Sequence, residues 1–253
     1  MITPSYNQAA FIEMTLRSVL DQGMTDLEYL VVDGGSTDGS VEVIRAYEDR
    51  LTWWVSEPDR GQTEALNKAL RRATGDVVAY INSDDHYLPG AFEIALEALE
   101  RSGASWVVGT SRFVDADGGL MEVWRPTIPT VGRHRWLLEP VGWPQASSFW
   151  RRELFERHGL FRDDMHYVFD TEFGLRIALA GHLPALVDAE LAVRVVHAEA
   201  KSWDRRPFDR EERRLLDIYR PLLTRGERAR LVVPRALKRA SLARARLRRL
   251  SPA

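Results

Sequence analysis

Acidic side chains follow two apolar runs in the first half of the chain. Asp33 comes directly after the run LEYLVV, and Asp84 and Asp85 follow the run VVAYI with only two residues between. Carboxylates held close together away from water repel one another, so such a cluster needs a neutralising partner. Mg²⁺ and Mn²⁺ prefer hard oxygen ligands of this kind, and either cation could bind a diphosphate that the acids alone would repel. The three acids therefore point to a metal-dependent site for a phosphorylated ligand.

Each of these acids, taken alone, also has an ordinary structural explanation. Asp and Asn are common in turns and at helix N-termini, and Pro89-Gly90 shows that the chain turns soon after Asp85. The pairing favours a functional role, because two parallel strands would bring Asp33, Asp84 and Asp85 to the same rim of a sheet.

The glycine-rich segment DGGSTDGS at 33–40 is similar to a dinucleotide-binding turn but lacks its pattern. Its glycines fall at positions 34, 35 and 39, which is not the order G-x-G-x-x-G, and no Gly-Lys-Ser/Thr of a P-loop follows. A carboxylate at a strand end suits a base imide or a ribose hydroxyl better than a phosphate. Both dinucleotide binding and a P-loop are therefore excluded.

Strand and helix patterns alternate through the first part of the chain. They predict strands at 27–32, 52–58, 77–81 and 105–110, and helices at 41–48 (with Asp38 as its N-cap), 61–75 and 91–103. Such alternation predicts an α/β fold with a parallel-rich sheet and helices on both faces. In sheets of this kind, ligands bind at the carboxyl ends of the strands.

The second half of the chain has a different pattern. Asp117-Gly118-Gly119 between two β-rich runs predicts a hairpin over 112–124. Scattered Pro, Gly and Trp predict an irregular segment over 125–150, and helical spacing predicts a helix at about 170–180.

The composition excludes several classes of protein. The 253 residues include no cysteine, which excludes disulfides, thiolate metal sites and thiol nucleophiles. No apolar run reaches the roughly 20 residues that span a bilayer. The N-terminal MITPSYNQ lacks the basic start and apolar core of a signal peptide. We therefore expect a cytoplasmic protein with one large domain and an extension.

The net charge of −2 conceals a strongly basic C-terminal segment. Residues 225–253 hold ten Arg or Lys and one acid, Glu227, and we expect a basic helical extension over 205–253. Peripheral binding to an anionic inner membrane face is one function for such a helix, and a solvated or domain-packed helix is the alternative. Nucleic-acid binding is disfavoured, because no aromatic residue follows Tyr219 and the rest of the chain is acidic.

An ordered series of motifs covers about residues 1–203. The motifs are TPSYNQ (3–8), SVLDQ (18–22), VVDGGSTDGS (31–40), SEPDRGQTEALNKAL (56–70), GDVVAYINSDD (75–85), SFWRRELFERHGLF (148–161), FDTEFGLRIALAG (169–181) and RVVHAEAKS (194–202). With them, the sequence resembles the inverting nucleotide-sugar glycosyltransferases of family 2. The resemblance implies a GT-A fold over residues 1–204, with a Rossmann-like, mostly parallel central sheet flanked by helices. It also implies metal-dependent transfer of a sugar from a nucleoside diphosphate to an acceptor hydroxyl, in polysaccharide or glycolipid biosynthesis.

The resemblance further implies which residues bind the nucleotide sugar. They are Thr3, Pro4, Ser5 and Tyr6 in the loop after the first strand, Asp33 at the base, Asp59, Arg60 and Asn67 in the segment that closes over the nucleotide, and Asp84 at the ribose. Family members have several apolar residues before the Thr-Pro-Ser segment, whereas only Met1 and Ile2 stand there in this sequence. This departure leads us to expect a misassigned start site or a truncated chain. The sugar, the nucleoside and the acceptor stay open.

A metal element is implied by Asn82-Ser83-Asp84-Asp85, which matches the D-x-D type of the family with Asn82 in place of the first acid. The expected cation is Mg²⁺ or Mn²⁺, with Asp85 as the direct ligand and Asp84 beside it. His197 is a further candidate for contact with the metal or the diphosphate. A hydrogen-bonded structural histidine is the alternative for that residue.

A catalytic base is implied at Asp170, which matches the Asp of the family's Glu-Asp motif. Phe169 stands where the family has Glu, so the auxiliary acid is missing or is Glu172. The base would take the proton of the acceptor hydroxyl as that oxygen attacks the anomeric carbon, and one displacement would invert the configuration. A helix N-cap or a partner for the helix dipole is the alternative role for Asp170.

Three residues are candidates for the acceptor site. They are Trp143, Trp150 and Arg151, with core packing as an equal alternative for Trp150.

Two further functions fit parts of the pattern. A sugar-1-phosphate nucleotidyltransferase would carry a Gly-rich, basic triphosphate loop near its N-terminus, and no such loop is present. A catalytically inactive nucleotide-sugar-binding subunit is disfavoured by Asp85 and Asp170.

Overall fold

The computed structural model describes residues 1–128, 142–198, 200–201 and 204–222. The strands in these ranges are β1 (Ile2–Ser5), β2 (Leu30–Asp33), β3 (Trp53–Ser56), β4 (Val77–Val78), β5 (Asp85–Tyr87), β6 (Trp106–Asp115), β7 (Leu120–Trp124), β8 (Ser148–Arg151) and β9 (Ala185–Val196). The helices are α1 (Ile12–Leu20), α2 (Ser40–Arg45), α3 (Gln62–Leu70), α4 (Ala91–Ser102), α5 (Glu153–His158), α6 (Phe169–Leu179) and α7 (Arg205–Tyr219).

The first sheet is parallel and has the order β1-β2-β3. Ser5, Asp33 and Ser56 are paired across it, so the carboxyl ends of its three strands share one rim. Side chains alternate between the two faces of β2: Leu30 and Val32 join one hydrophobic cluster, and Val31 joins the other. Helices cover both faces, which is why the strand is apolar throughout.

The second sheet is mixed, with the order β4-β8-β6-β9-β5 and with β7 paired to β6. The described pairs in it are antiparallel, apart from the parallel pair of β6 and β9. A parallel bridge between Ile2 and Tyr80 connects the two sheets, with backbone hydrogen bonds from Ile2 to Ala79 and from Ile81 to Ile2 of 3.0 Å each. The sequence therefore predicted the α/β class, the helices on both faces and the hairpin of β6 and β7, but not the other antiparallel pairs of the second sheet.

Two details of the predicted elements are wrong. The N-cap of α2 is Gly39, which has φ 101°, and the Asp38 carboxylate instead accepts hydrogen bonds from the backbone of Ser40 and of Ala9. Only Val77–Val78 of the predicted strand 77–81 is regular, because the chain then turns to pair with Ile2.

The hairpin predicted over 112–124 and the helix predicted at about 170–180 are confirmed by β6–β7 and α6. The start of the predicted extension is α7, whose Leu215 is buried in the core. Residues 225–253 lie outside the described part of the chain. Within that part, none of the helices is long and apolar enough to cross a bilayer.

Gly174 allows α6 to approach the ring of Trp143, since a Cβ at this position would lie 2.5 Å from that ring. Ala usually stabilises a helix interior over Gly by about 0.5–1 kcal/mol. We nevertheless expect Gly174→Ala to lower the free energy of unfolding by about 1–3 kcal/mol, measured by denaturant titration, because the indole must shift. Gly75→Ala is the control, with its nearest atom at 3.7 Å. Equal stability of the two variants would contradict this packing.

Candidate active site

A cavity of about 900 Å³ opens at the carboxyl ends of β1 and β2. Its walls come from residues 4–6 at the end of β1, Gly34-Gly35 after β2, residues 58–62 at the start of α3, residues 82–85, and the start of α6 around Asp170. Thr3, Pro4 and Ser5 thus belong to β1 itself and not to the loop after it. The rim of the parallel sheet, where the sequence predicted ligand binding, is thus part of a large concave site.

Most of the residues predicted to bind the nucleotide sugar line this cavity. They are Pro4, Ser5, Tyr6, Asp59, Arg60 and Asp84. Tyr6 is 61% exposed, so its ring is available to a ligand. Asp59 accepts a hydrogen bond of 2.8 Å from the backbone of Gly61, which fixes the loop before α3.

Three of the predicted binding residues lie behind the wall instead. Thr3 is buried and its hydroxyl bonds that of Tyr29 at 2.8 Å. The Asn67 side chain donates to the Phe161 carbonyl at 2.8 Å and accepts from the Phe161 amide at 3.1 Å. These contacts tie α3 to the segment before α6 and give Asn67 a structural role.

Asp33, the third of these residues, is fully buried and holds the loop that follows β2. Its Oδ2 accepts from the backbone amides of Gly35 at 3.0 Å and Ser36 at 2.8 Å and from the Ser56 hydroxyl at 2.7 Å, and its Oδ1 accepts from the Ser36 hydroxyl. Both oxygens are therefore engaged within the protein. Direct contact of Asp33 with a nucleotide base stays a prediction.

Two buried oxygen atoms in the wall of the cavity have no hydrogen-bond partner among the described residues. They are Oγ of Ser5 and Oε1 of Gln8. Buried polar atoms in native proteins are nearly always paired, so this pair indicates a place where a polar ligand completes the hydrogen bonding.

Asp84 and Asp85 both line the cavity, and their surroundings differ. Asp85 is 2% exposed, with Oδ1 accepting from the Val195 amide at 3.1 Å. Burial and the neighbouring Asp84 carboxylate raise the pKa of Asp85 well above its usual range, although Arg194 opposes this shift. Asp84 bonds Nε2 of His197 at 3.1 Å.

His197 lies behind Asp84, outside the wall of the cavity. It is 8% exposed and stacks on Phe11 with ring centroids 4.5 Å apart. The geometry makes His197 a partner of Asp84, which is the hydrogen-bonded structural alternative that the sequence left open.

Asn82, which replaces the first acid of the expected metal element, bridges α3 and Asp85. Its Oδ1 accepts from Gln62 at 2.6 Å, and its Nδ2 lies 3.4 Å from Oδ2 of Asp85. The substitution therefore places a hydrogen-bond donor beside the buried carboxylate, where a third acid would add to the repulsion.

Asp170 lies in the first turn of α6 and lines the same cavity as Asp85. The N-cap of α6 is Val168, so Asp170 is not the cap. Its Oδ1 accepts from the Thr171 amide at 2.7 Å, and burial raises the pKa of the Asp170 carboxyl. Among the described residues its Oδ2 accepts no hydrogen bond.

Glu172 does not supply the auxiliary acid that was one expectation from the sequence. It points into the core at 1% exposure, where Arg176 and the hydroxyl of Tyr219 donate to it at 2.9 Å and 2.6 Å. Glu172 is two residues after Asp170, about 200° around the helix axis, so its side chain faces away from the cavity.

The three residues suggested for an acceptor site are not at the cavity either. Trp143 packs on Gly174, Trp150 stacks between Tyr80 and Trp106, and Arg151 bonds backbone carbonyls at the end of α4 and just after it. Core packing, the alternative for Trp150, is the correct interpretation for the two tryptophans.

Two cationic residues of the cavity were missed from the sequence. Arg194 stands opposite Asp85 in the pairing of β5 and β9, and its guanidinium lies 5.4 Å from the centre of the Phe113 ring. Lys201 donates to Gln62 at 2.9 Å and to the His166 carbonyl, and desolvation lowers its pKa to about 8. Both belong to the motif RVVHAEAKS, at positions 194 and 201. Only His197, which lies between them, was given a role from the sequence.

Comparison with known proteins identifies the fold and the family. Residues 1–159 match the model of the family described as glycosyl transferase family 2. An uncharacterized glycosyltransferase of Mycobacterium tuberculosis is 33% identical over 184 residues, which are 71% of this chain and 68% of that protein. TuaG of Bacillus subtilis, whose name refers to teichuronic acid biosynthesis, is 42% identical over 115 residues, 44% of this chain and 46% of TuaG.

Solved structures of low sequence identity show the same architecture. TarS 1–349 of Staphylococcus aureus, in complex with UDP-GlcNAc, has a TM-score of 0.65 and 18% identity over 92% of this chain and 70% of that one. The mannosyltransferase PcManGT of Pyrobaculum calidifontis, in complex with GDP-Man and Mn²⁺, has a TM-score of 0.58 and 23% identity, and the match covers 96% of this chain and 74% of PcManGT. The protein has the GT-A fold and belongs to glycosyltransferase family 2.

Proposed function

We propose that the protein transfers a sugar from a nucleoside diphosphate sugar to an acceptor hydroxyl, with inversion at the anomeric carbon and with Mg²⁺ or Mn²⁺. The observation that carries the proposal is the presence of Asp85 and Asp170 in the wall of one cavity. One carboxylate serves the diphosphate side through a cation, and the other serves the acceptor side as a base.

The nucleotide side of the site is supported by Ser5, the last residue of β1, and by the residues that follow it. Ser5 and Gln8 offer oxygens that lack partners among the described residues, and Tyr6 offers an exposed ring for stacking on a base. The solved relatives TarS and PcManGT hold UDP-GlcNAc and GDP-Man. Nucleotide sugars are therefore the donor class to test.

The residues present fit a cation whose coordination is completed by the donor. Asp84 and Asp85 supply hard carboxylate oxygens at the cavity, and the pKa of Asp85 is raised because burial and Asp84 outweigh the compensation by Arg194. Within the described residues, no group of three or more His, Cys, Asp or Glu side chains is arranged to hold a metal by itself. When bound, the cation would neutralise the charge that grows on the leaving diphosphate.

The acceptor side is supported by the free oxygen of Asp170. Its Oδ1 is engaged by Thr171, which leaves Oδ2 to take the proton of an acceptor hydroxyl as that oxygen bonds to the anomeric carbon. The bond from the anomeric carbon to the diphosphate breaks in the same step, and its electrons leave with the diphosphate. Arg194 and Lys201 add positive charge to the cavity and favour this departure.

The biological context proposed is polysaccharide or glycolipid biosynthesis. TuaG, which this chain resembles over less than half of its length, carries a name from teichuronic acid synthesis. The basic segment 225–253 is proposed to associate peripherally with an anionic membrane, which would place the enzyme near a lipid-linked acceptor.

Donor screening tests the proposed function directly. We expect one or more nucleoside diphosphate sugars to raise the melting temperature in the presence of Mg²⁺ or Mn²⁺ but not of EDTA, and to be hydrolysed slowly without an acceptor. Stabilisation with neither hydrolysis nor transfer would identify a nucleotide-sugar-binding subunit. No response to any donor would contradict the proposal.

Asp170→Asn tests the assignment of the base. The amide cannot accept the proton, so we expect transfer to fall by roughly 10²–10⁴-fold at unchanged donor binding. In the wild type, the apparent pKa of the acid limb of the pH–rate profile should lie above the usual pKa range of an aspartate, because burial raises the pKa of Asp170. Unchanged transfer by a variant of normal stability would show that another residue is the base.

Asp85→Asn tests the buried charge without any ligand. The folded-state pKa of Asp85 is raised, so its contribution to stability is present at low pH and is lost as the pH rises through that value. In EDTA we therefore expect the melting temperature of the variant to be equal to or above that of the wild type at pH 7. Any excess of the variant's melting temperature over that of the wild type should shrink towards pH 4.

The control for this variant is Asp188→Asn at an exposed position of β9, where the same substitution removes no buried carboxylate. With metal and donor present, Asp85→Asn should lose more of the donor-induced stabilisation than Asp84→Asn. A larger loss in Asp84→Asn would assign the direct metal contact to Asp84.

A further inference from the structure

One carboxylate of α7 holds three consecutive backbone amides in front of α6. Glu211 accepts from the amide of His166 at 2.9 Å, of Tyr167 at 2.7 Å and of Val168 at 3.1 Å. The hydrogen bonds span more than forty residues of sequence, so they join two elements that are distant in the chain.

These amides lead into the helix that carries Asp170. Val168 is the N-cap of α6, and no side chain of the cap itself bonds the helix. Asp170 follows two residues later. A carboxylate at a helix N-terminus interacts favourably with the partial positive charge there, so Glu211 stabilises the start of α6 from outside.

Other residues of α7 hold the same segment. Arg214 donates to the Asp164 carbonyl at 2.6 Å and also to its carboxylate. Phe208 packs edge-on against Tyr167 with ring centroids 5.0 Å apart. The helix therefore contacts residues 164–168 through Phe208 and through Arg214. Glu211 lies between these two residues along the helix.

The held segment is part of the cavity. His166 and Tyr167 lie in its wall on the approach to Asp170, and Phe208 of α7 lies there too. If the segment moved, the catalytic carboxylate would move with it, whereas the residues after β1 and β2 would keep their places.

We propose that Glu211 is a positioning residue for the transfer reaction. By fixing residues 166–168 it sets the place of the Asp170 carboxylate relative to the acceptor hydroxyl, an inference that rests on the proposed function of Asp170 as the base. Removal of the carboxylate would leave three amides without their acceptor, and the segment would have to rearrange to satisfy them. A displacement of about 1 Å in a reacting group can reduce a rate by roughly 10²-fold.

The test compares Glu211→Ala, Glu211→Gln and Asp217→Ala in the full chain. Asp217 is an exposed carboxylate on the same helix and serves as the matched control. We expect Glu211→Ala to lower kcat by about 10- to 100-fold, with the KM for the donor changed by about twofold or less. Glu211→Gln should recover part of the loss, because its side-chain carbonyl still accepts a hydrogen bond. Asp217→Ala should match the wild type.

Hydrogen exchange gives a second readout that needs no substrate. The amides of residues 166–168 should exchange faster in Glu211→Ala than in the wild type, and at the wild-type rate in Asp217→Ala. If Glu211→Ala does not fold, Glu211→Gln carries both measurements. Unchanged exchange, or faster exchange with unchanged kcat, would overturn the inference. A wild type that neither hydrolyses nor transfers any donor sugar would instead refute the proposed function, and the exchange result would still report whether Glu211 holds the segment.

Discussion

The burial of negative charge is the constraint on which this structure depends. Asp85 and Asp170 both have pKa values raised by burial, and they share one cavity. Arg194 moderates both shifts, and Asn82 presents an amide where a further acid would add repulsion. A cavity in which buried negative charge is incompletely balanced favours a ligand that brings positive charge with it.

Local patterns were sufficient to predict the elements and much of the site. Apolar runs and helical spacing placed β2, β3, α2, α3 and α4, although not α1, because each such element is specified by residues a few positions apart. Asp84 and Asp85 were placed by the apolar run that precedes them, whereas Tyr6 was placed by the family resemblance. Positions at the carboxyl ends of strands face the cavity by topology, so a motif there is informative about the site.

Residues whose roles depend on distant contacts could not be placed from the sequence. Asn67 bonds a residue 94 positions away and Glu211 bonds residues about 45 away, and no spacing rule reports such pairs. Asp33 shows a second limit of prediction from sequence. The motif marked Asp33 as important but could not show that its carboxylate oxygens accept hydrogen bonds from the loop after β2. The pairing of β9 with both β6 and β5 likewise joins segments that are distant in the sequence.

The contacts of α7 also have a consequence for biosynthesis of the chain. The segment before Asp170 is complete only when Glu211 and Arg214 have been synthesised, some forty residues after the segment itself. A nascent chain that has already folded β1, β2 and their rim would still lack these contacts while α7 is inside the ribosome. The order of synthesis thus separates the formation of the rim at β1 and β2 from the completion of the segment that leads to Asp170.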